Sequence, residues 1–70
     1  MREYRYLVQF KLDDFITEFQ LTASGTGEAI QKAKRLFESP ISVAPIRKGV
    51  NPYDPKYEIS TLEKEYYGSI

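Results

Sequence analysis

The sequence predicts a small α+β domain in which a strand hairpin, one helix and a returning strand form a β-β-α-β body. Three observations predict it. Hydrophobic residues alternate over residues 3–12 and again over 15–23, an apolar stripe at helical spacing begins at Ala29, and a short apolar run follows from Ile41 to Ile46.

In EYRYLVQFKL, Tyr4, Tyr6, Val8, Phe10 and Leu12 share one side while Glu3, Arg5, Gln9 and Lys11 share the other. That is the pattern of a half-buried strand. FITEFQLTA repeats it, with Phe15, Phe19, Leu21 and Ala23 on one face, Glu18, Gln20 and Thr22 on the other, and Thr17 as a polar intruder among the apolar set. Asp13-Asp14 forms the turn. A slip by one residue would move every apolar side chain to the wrong face. The register must therefore set Phe10 opposite Thr17, Val8 opposite Phe19, Tyr6 opposite Leu21 and Tyr4 opposite Ala23. Loops of two or four residues both satisfy this, and the absence of a turn glycine favours four.

Ser24 or Thr26 offers a cap oxygen for a helix, and Glu28 places an acid in its first turn, where the helix dipole favours it. Ala29, Ile30, Ala33, Leu36 and Phe37 form its apolar stripe. Glu28 with Lys32 and Lys34 with Glu38 are spaced as ion pairs on the wet side, and the helix must end before Pro40. Residues 41–46 read as a third strand, with Pro45 restricting it to a sheet edge. The regular first strand takes the centre, giving an antiparallel sheet in order 2-1-3 with the helix across its apolar face. The expected core is Tyr6, Val8, Phe10, Phe19, Leu21, Ala29, Ile30, Ala33, Leu36, Phe37, Ile41 and Val43.

After residue 49 the character of the chain changes. We divide it into a body over 1–49, a proline-containing linker over 50–58 and a tyrosine-rich C-terminal appendage over 59–70. Asp54-Pro55 has the form of a cap followed by proline at the first helical position, and Ser60-Thr61-Leu62-Glu63 that of a capping box, so one of them starts a short final helix. Leu7 and Ile16 are apolar residues on the otherwise polar sheet face. The tail is expected to fold back over them.

Ten basic and ten acidic residues cancel, which removes the electrostatic footprint of a dedicated DNA binder. With neither histidine nor cysteine, imidazole and thiolate chemistry is excluded, including nucleophilic triads and thiolate zinc sites. The carboxylates are scattered over turns and solvent faces, and Asp13-Asp14 reads as a turn former rather than a cation site. No catalytic residue, metal or cofactor is therefore expected. Ser24-Gly25-Thr26-Gly27 lacks the spacing of a phosphate-binding loop and reads as helix capping. No apolar run reaches membrane-spanning or signal-peptide length, and no cysteine points to an oxidising compartment, so a cytoplasmic setting without membrane contact is expected.

Element order over residues 4–47, a hairpin and helix from Tyr4 to Phe37 and a returning strand from Ile41 to Arg47, is similar to small phage inhibitors of bacterial RNA polymerase and to compact ribosomal β-β-α-β modules. The resemblance implies the fold and carries over no site residue. The function expected is a non-catalytic protein-binding module, an adaptor or a phage-type inhibitor that occupies a surface of a larger protein. Tyr53, Tyr57, Tyr66 and Tyr67 are its expected contacts, since tyrosine is enriched at binding hot spots. The alternative is weak RNA or DNA binding through Lys32, Lys34, Arg35, Arg47 and Lys48. Self-association of a monomer or weak homo-oligomer is expected at the uncovered edge of the strand from Phe15 to Ala23.

Overall fold

The computed structural model describes residues 2–67, the side chains of Tyr66 and Tyr67 excepted. Strands β1 (Tyr4–Leu12), β2 (Phe15–Ala23) and β3 (Pro40–Pro45) form one antiparallel sheet in order β2-β1-β3. Helix α1 (Thr26–Leu36) and a second helix, α2 (Ile59–Tyr67), complete the fold. This is the predicted α+β architecture.

The hairpin register is the one that the alternation demands, pairing Tyr4 with Ala23, Tyr6 with Leu21, Val8 with Phe19 and Phe10 with Thr17. Leu12 pairs directly with Phe15, so the loop has two residues, not four. Asp13 makes this possible by adopting a positive φ of 55°, which aspartate tolerates better than most non-glycine residues. On the other side of β1, Val8 faces Val43 and Gln9 faces Ser42, while Phe10 faces Pro40. Ile41 is thus an extra residue, a bulge that ends regular pairing next to a proline that has no N–H to give.

Ahead of α1 the expected side-chain cap is replaced by Gly25, whose backbone is extended and which makes no side-chain bond. The Ser24 hydroxyl instead donates to the Glu28 carboxylate at 2.6 Å. That bond first, and the Lys32 ammonium second, hold the Glu28 carboxyl below its ordinary value. At its other end α1 stops at Leu36, three residues before the proline limit, because Phe37 turns to extended backbone and stacks its ring on Phe10 at 4.0 Å. Glu38 then lies outside the helix. Lys34 pairs with Glu63 of α2 in place of Glu38.

Tyr6, Val8, Leu21, Ala23, Ala29, Ile30, Ala33 and Val43 are buried together, and Ile59 and Leu62 of α2 join the same cluster. Five expected core residues are not among the fully buried ones. Phe19 and Leu36 are largely exposed, while Phe10, Phe37 and Ile41 are half-buried.

The linker explains how α2 reaches that side of the sheet. Val50 and Pro52 border Leu7 and Gln20 on the face away from α1, and Tyr53 reaches as far as Glu18 of β2. Asp54 then accepts from the Lys56 amide at 3.0 Å and caps a single 3₁₀ turn over Pro55–Tyr57. Glu58 next bridges to Ser42 on the free side of β3. From there α2 begins one residue ahead of the anticipated capping box. The segment NPYDPKYE is therefore a strap from one face of the sheet, past the β3 edge, to the other.

Burying Ile59 and Leu62 contributes about 1.5–3 kcal/mol each, against the few kcal/mol that hold a domain of this size together. Ile59→Ala and Leu62→Ala should each lower stability to urea unfolding by about 2–4 kcal/mol. Ile16→Ala, on the exposed end of the hairpin, should stay within about 0.5 kcal/mol. Equal, small effects at all three positions would show that α2 is not part of the core.

Candidate protein-binding surface

An 11-residue helix rises about 16 Å, whereas a nine-residue strand extends about 30 Å. Helix α1 therefore covers roughly half of the hairpin. The connection from β2 into α1 is short, so the helix begins over the far end of the sheet and its C-terminus points back toward the Asp13-Asp14 turn. Beyond that C-terminus none of the described residues covers the apolar side of the hairpin.

The uncovered end is apolar. Phe15 is 74% exposed, Leu36 62% and Phe19 48%, and Leu12 is also exposed. They surround the stacked Phe10–Phe37 pair, which Phe19 meets edge-on at 5.4 Å. Ile16, 66% exposed, extends the patch round to the other face of β2. Alternation marks Leu12, Phe15 and Phe19 as strand residues and helical spacing marks Leu36, but hydrophobic spacing places Phe19 and Leu36 in the core because it does not say how far a helix reaches.

Among the described residues β2 pairs only with β1, so its other edge is open. Arg5 accepts from the Ile46 amide, and the Lys11 amide donates to Ser39, so these β1 residues direct their backbone groups toward β3. Their partners across the hairpin, Thr22 and Ile16, must then direct theirs away from β1. Thr22 confirms it: its carbonyl accepts from the Lys32 ammonium at 2.7 Å. By the same alternation Ile16, Glu18 and Gln20 present their amides and carbonyls outward. The opposite edge of the sheet differs, since β3 has proline at each end and the Glu58 bridge along it.

On the sheet face away from α1, Glu18, Gln9 and Ser42 stand opposite one another across the three strands. The Ser42 hydroxyl donates to Gln9 Oε1 at 2.9 Å, Gln9 Nε2 makes a long 3.5 Å contact with Glu18, and the Tyr53 hydroxyl donates to Glu18 Oε2 at 2.6 Å. This polar row ties the strap to the edge strand. The bond to Glu18, and then the carboxylate's negative charge, raise the Tyr53 phenol above its ordinary value of 10.0.

Of the tyrosines expected to contact a partner, Tyr53 keeps its ring exposed while its hydroxyl is engaged, and Tyr57 is half-buried beneath the Lys56 ammonium. The side chains of Tyr66 and Tyr67 lie outside the described residues. The five cations are not gathered into one patch. Lys32 is paired with Glu28 and Lys34 with Glu63. Arg35 remains on α1 beside Lys32, while Arg47 and Lys48 lie in the loop after β3, where Arg47 borders the same cleft as Arg5.

Among the described residues, no three acidic side chains converge as a metal site would require, and no helix is long and apolar enough to cross a membrane. No protein-family model, curated protein or solved structure matches the chain. The geometry of the edge and its apolar flank is what remains to indicate function.

The Tyr53 bond has a defined pH signature. A phenol whose folded value is raised stabilises fully below the unfolded value near 10.0, and the contribution is lost as the pH rises through the folded value. The difference in urea midpoint between the native chain and Tyr53→Phe should stay constant through neutral pH and shrink above pH 10. A difference that is flat across the alkaline range would mean that the hydroxyl does not bind Glu18.

Proposed function

We propose that this chain is a non-catalytic protein-binding module, an adaptor or inhibitor that occupies a surface of a larger protein through the β2 edge and its apolar flank. The observation that carries this reading is the coincidence, on one strand, of outward backbone groups at Ile16, Glu18 and Gln20 with exposed Phe15, Ile16 and Phe19. Such a strand accepts a partner's strand by backbone pairing, while the alternate side chains supply apolar contacts. Left bare, it would be an aggregation hazard that proteins ordinarily blunt with proline or charge. Here the β3 edge carries a proline at each end and the Glu58 bridge, whereas β2 contains no proline and keeps Ile16, Glu18 and Gln20 unpaired outward among the described residues.

Leu12 and Leu36 extend the apolar contact beyond the strand, and the exposed ring of Tyr53 borders it on the strap side through Glu18. Neutralisation of Lys32 and Lys34 by acids supports protein over nucleic acid as the partner. The zero net charge does so too.

Affinity purification of the tagged chain tests the reading. A co-eluting protein should remain bound at raised salt and be lost with Phe15→Ala/Phe19→Ala, at a cost of about 2 kcal/mol or more, some thirtyfold in Kd. Ile16→Pro, which removes an outward amide, should have the same effect. Retention that is indifferent to these variants, or recovery of nucleic acid alone with a steep salt dependence, would overturn it.

A further inference from the structure

We propose that the β2 edge also takes a second copy of this chain, forming a two-fold dimer in which the two β2 strands pair antiparallel about Thr17. The inference rests on the reading of β2 as the binding edge and names the partner that the edge itself selects.

Closure favours self-pairing. A dimer that joined β2 of one copy to β3 of the next would leave a β2 edge free and grow into a filament. That route is closed by Pro40, Pro45 and the Glu58 bridge on β3. Pairing β2 with β2 uses the open edge of both copies at once and leaves none exposed.

Side-chain chemistry then selects the register. Centring the pair on Glu18 would place two like charges directly opposite each other, which is destabilising. Centring it on Phe19 would set Ile16 against Thr22 of the second copy, whose carbonyl is already occupied by Lys32. Centring it on Thr17 avoids both. Ile16 and Glu18 of opposite copies then face each other as hydrogen-bonded pairs through their outward amides and carbonyls, twice over by symmetry. On the α1 side, Phe15 faces Phe19 of the second copy, again twice, and the two Thr17 side chains meet at the axis. Cross-strand aromatic and threonine pairs of this kind stabilise sheets.

Charge complementarity supports the same register. Lys11 stands beside Ile16 on the face away from α1. In the Thr17-centred pair, Lys11 of one copy therefore lies two strand spacings, about 9.5 Å, from Glu18 of the other. Its flexible stem can lie over the intervening Ile16 and carry the ammonium toward that carboxylate. The chain's zero net charge leaves no overall repulsion to oppose association.

The chain contains no cysteine, so a single introduced thiol reports the register. Thr17 occupies a non-hydrogen-bonded position, where opposed Cα atoms lie about 4.5 Å apart, within disulfide range. Under mild oxidation Thr17→Cys should cross-link the two copies. Phe19→Cys should not, because it lies opposite residue 15 and four positions from its own counterpart. Sedimentation equilibrium of the native chain should show a concentration-dependent dimer, and Ile16→Pro should be monomeric with its cooperative melting retained. A chain monomeric at every concentration, a dimer untouched by Ile16→Pro, or cross-linking through Phe19→Cys as readily as through Thr17→Cys would overturn the inference. A monomeric chain that still loses its captured protein on Phe15→Ala/Phe19→Ala would overturn the dimer alone. A Thr17-linked dimer whose captured protein ignores those variants would overturn the larger-partner reading alone.

Discussion

A helix advances less than half as far per residue as a strand, and in this chain one short helix must cover a hairpin of two full-length strands. Helix α1 cannot reach the turn. Its position is fixed at one end by the two-residue step from Ala23 to Thr26 and at the other by Phe37, which leaves helical backbone to stack on Phe10. Everything toward the Asp13-Asp14 turn stays outside the core. The apolar flank of β2 is the direct consequence.

At the covered end the same shortage is met differently. An 11-residue helix with two alanines and one isoleucine among its buried residues supplies little apolar volume. A chain of this size buries only about 60% of its unfolded surface in any case. Ile59 and Leu62 make up the deficit, and to deliver them the chain must leave β3, lie across the opposite face and return past the β3 edge. The prolines at 52 and 55 reduce the entropy lost in ordering that path. The Tyr53–Glu18 bond and the Glu58–Ser42 bridge fix its two ends. One edge of the sheet is closed as a by-product of completing the core, and this is why the two edges differ.

The strand register could be read from the sequence to the residue, because period-two alternation with one buried face admits no other pairing of Val8 and Phe19. Strand order followed from the length and regularity of the first strand, which takes the centre, and from Pro45, which restricts the third to an edge. The end of α1 was not legible: Leu36 and Phe37 continue the helical stripe, and only the tertiary contact with Phe10 shows that Phe37 leaves it. Nor could the pattern show which face Ile59 and Leu62 would join, since a helical stripe declares an apolar side and not its neighbour. The tail was expected over Leu7 and Ile16. Its Ile59 and Leu62 pack on the opposite, α1-covered face instead, while the linker residues Val50 and Pro52 border Leu7 and Ile16 stays exposed. The tyrosine-rich composition points to partner contacts in the tail, whereas the exposed end of β2 follows from element lengths that residue spacing does not encode.

Amide hydrogen exchange along β2 tests most directly whether this strand is an open edge built for pairing. In dilute solution the amides of Thr17, Phe19 and Leu21, which face β1, should be protected, while those of Ile16, Glu18 and Gln20 exchange rapidly. Raising the protein concentration should slow exchange at Ile16 and Glu18 while leaving the odd-numbered positions unchanged. Protection of Ile16 and Glu18 at the lowest concentration would contradict the open edge, and rapid exchange there at every concentration would contradict its self-pairing.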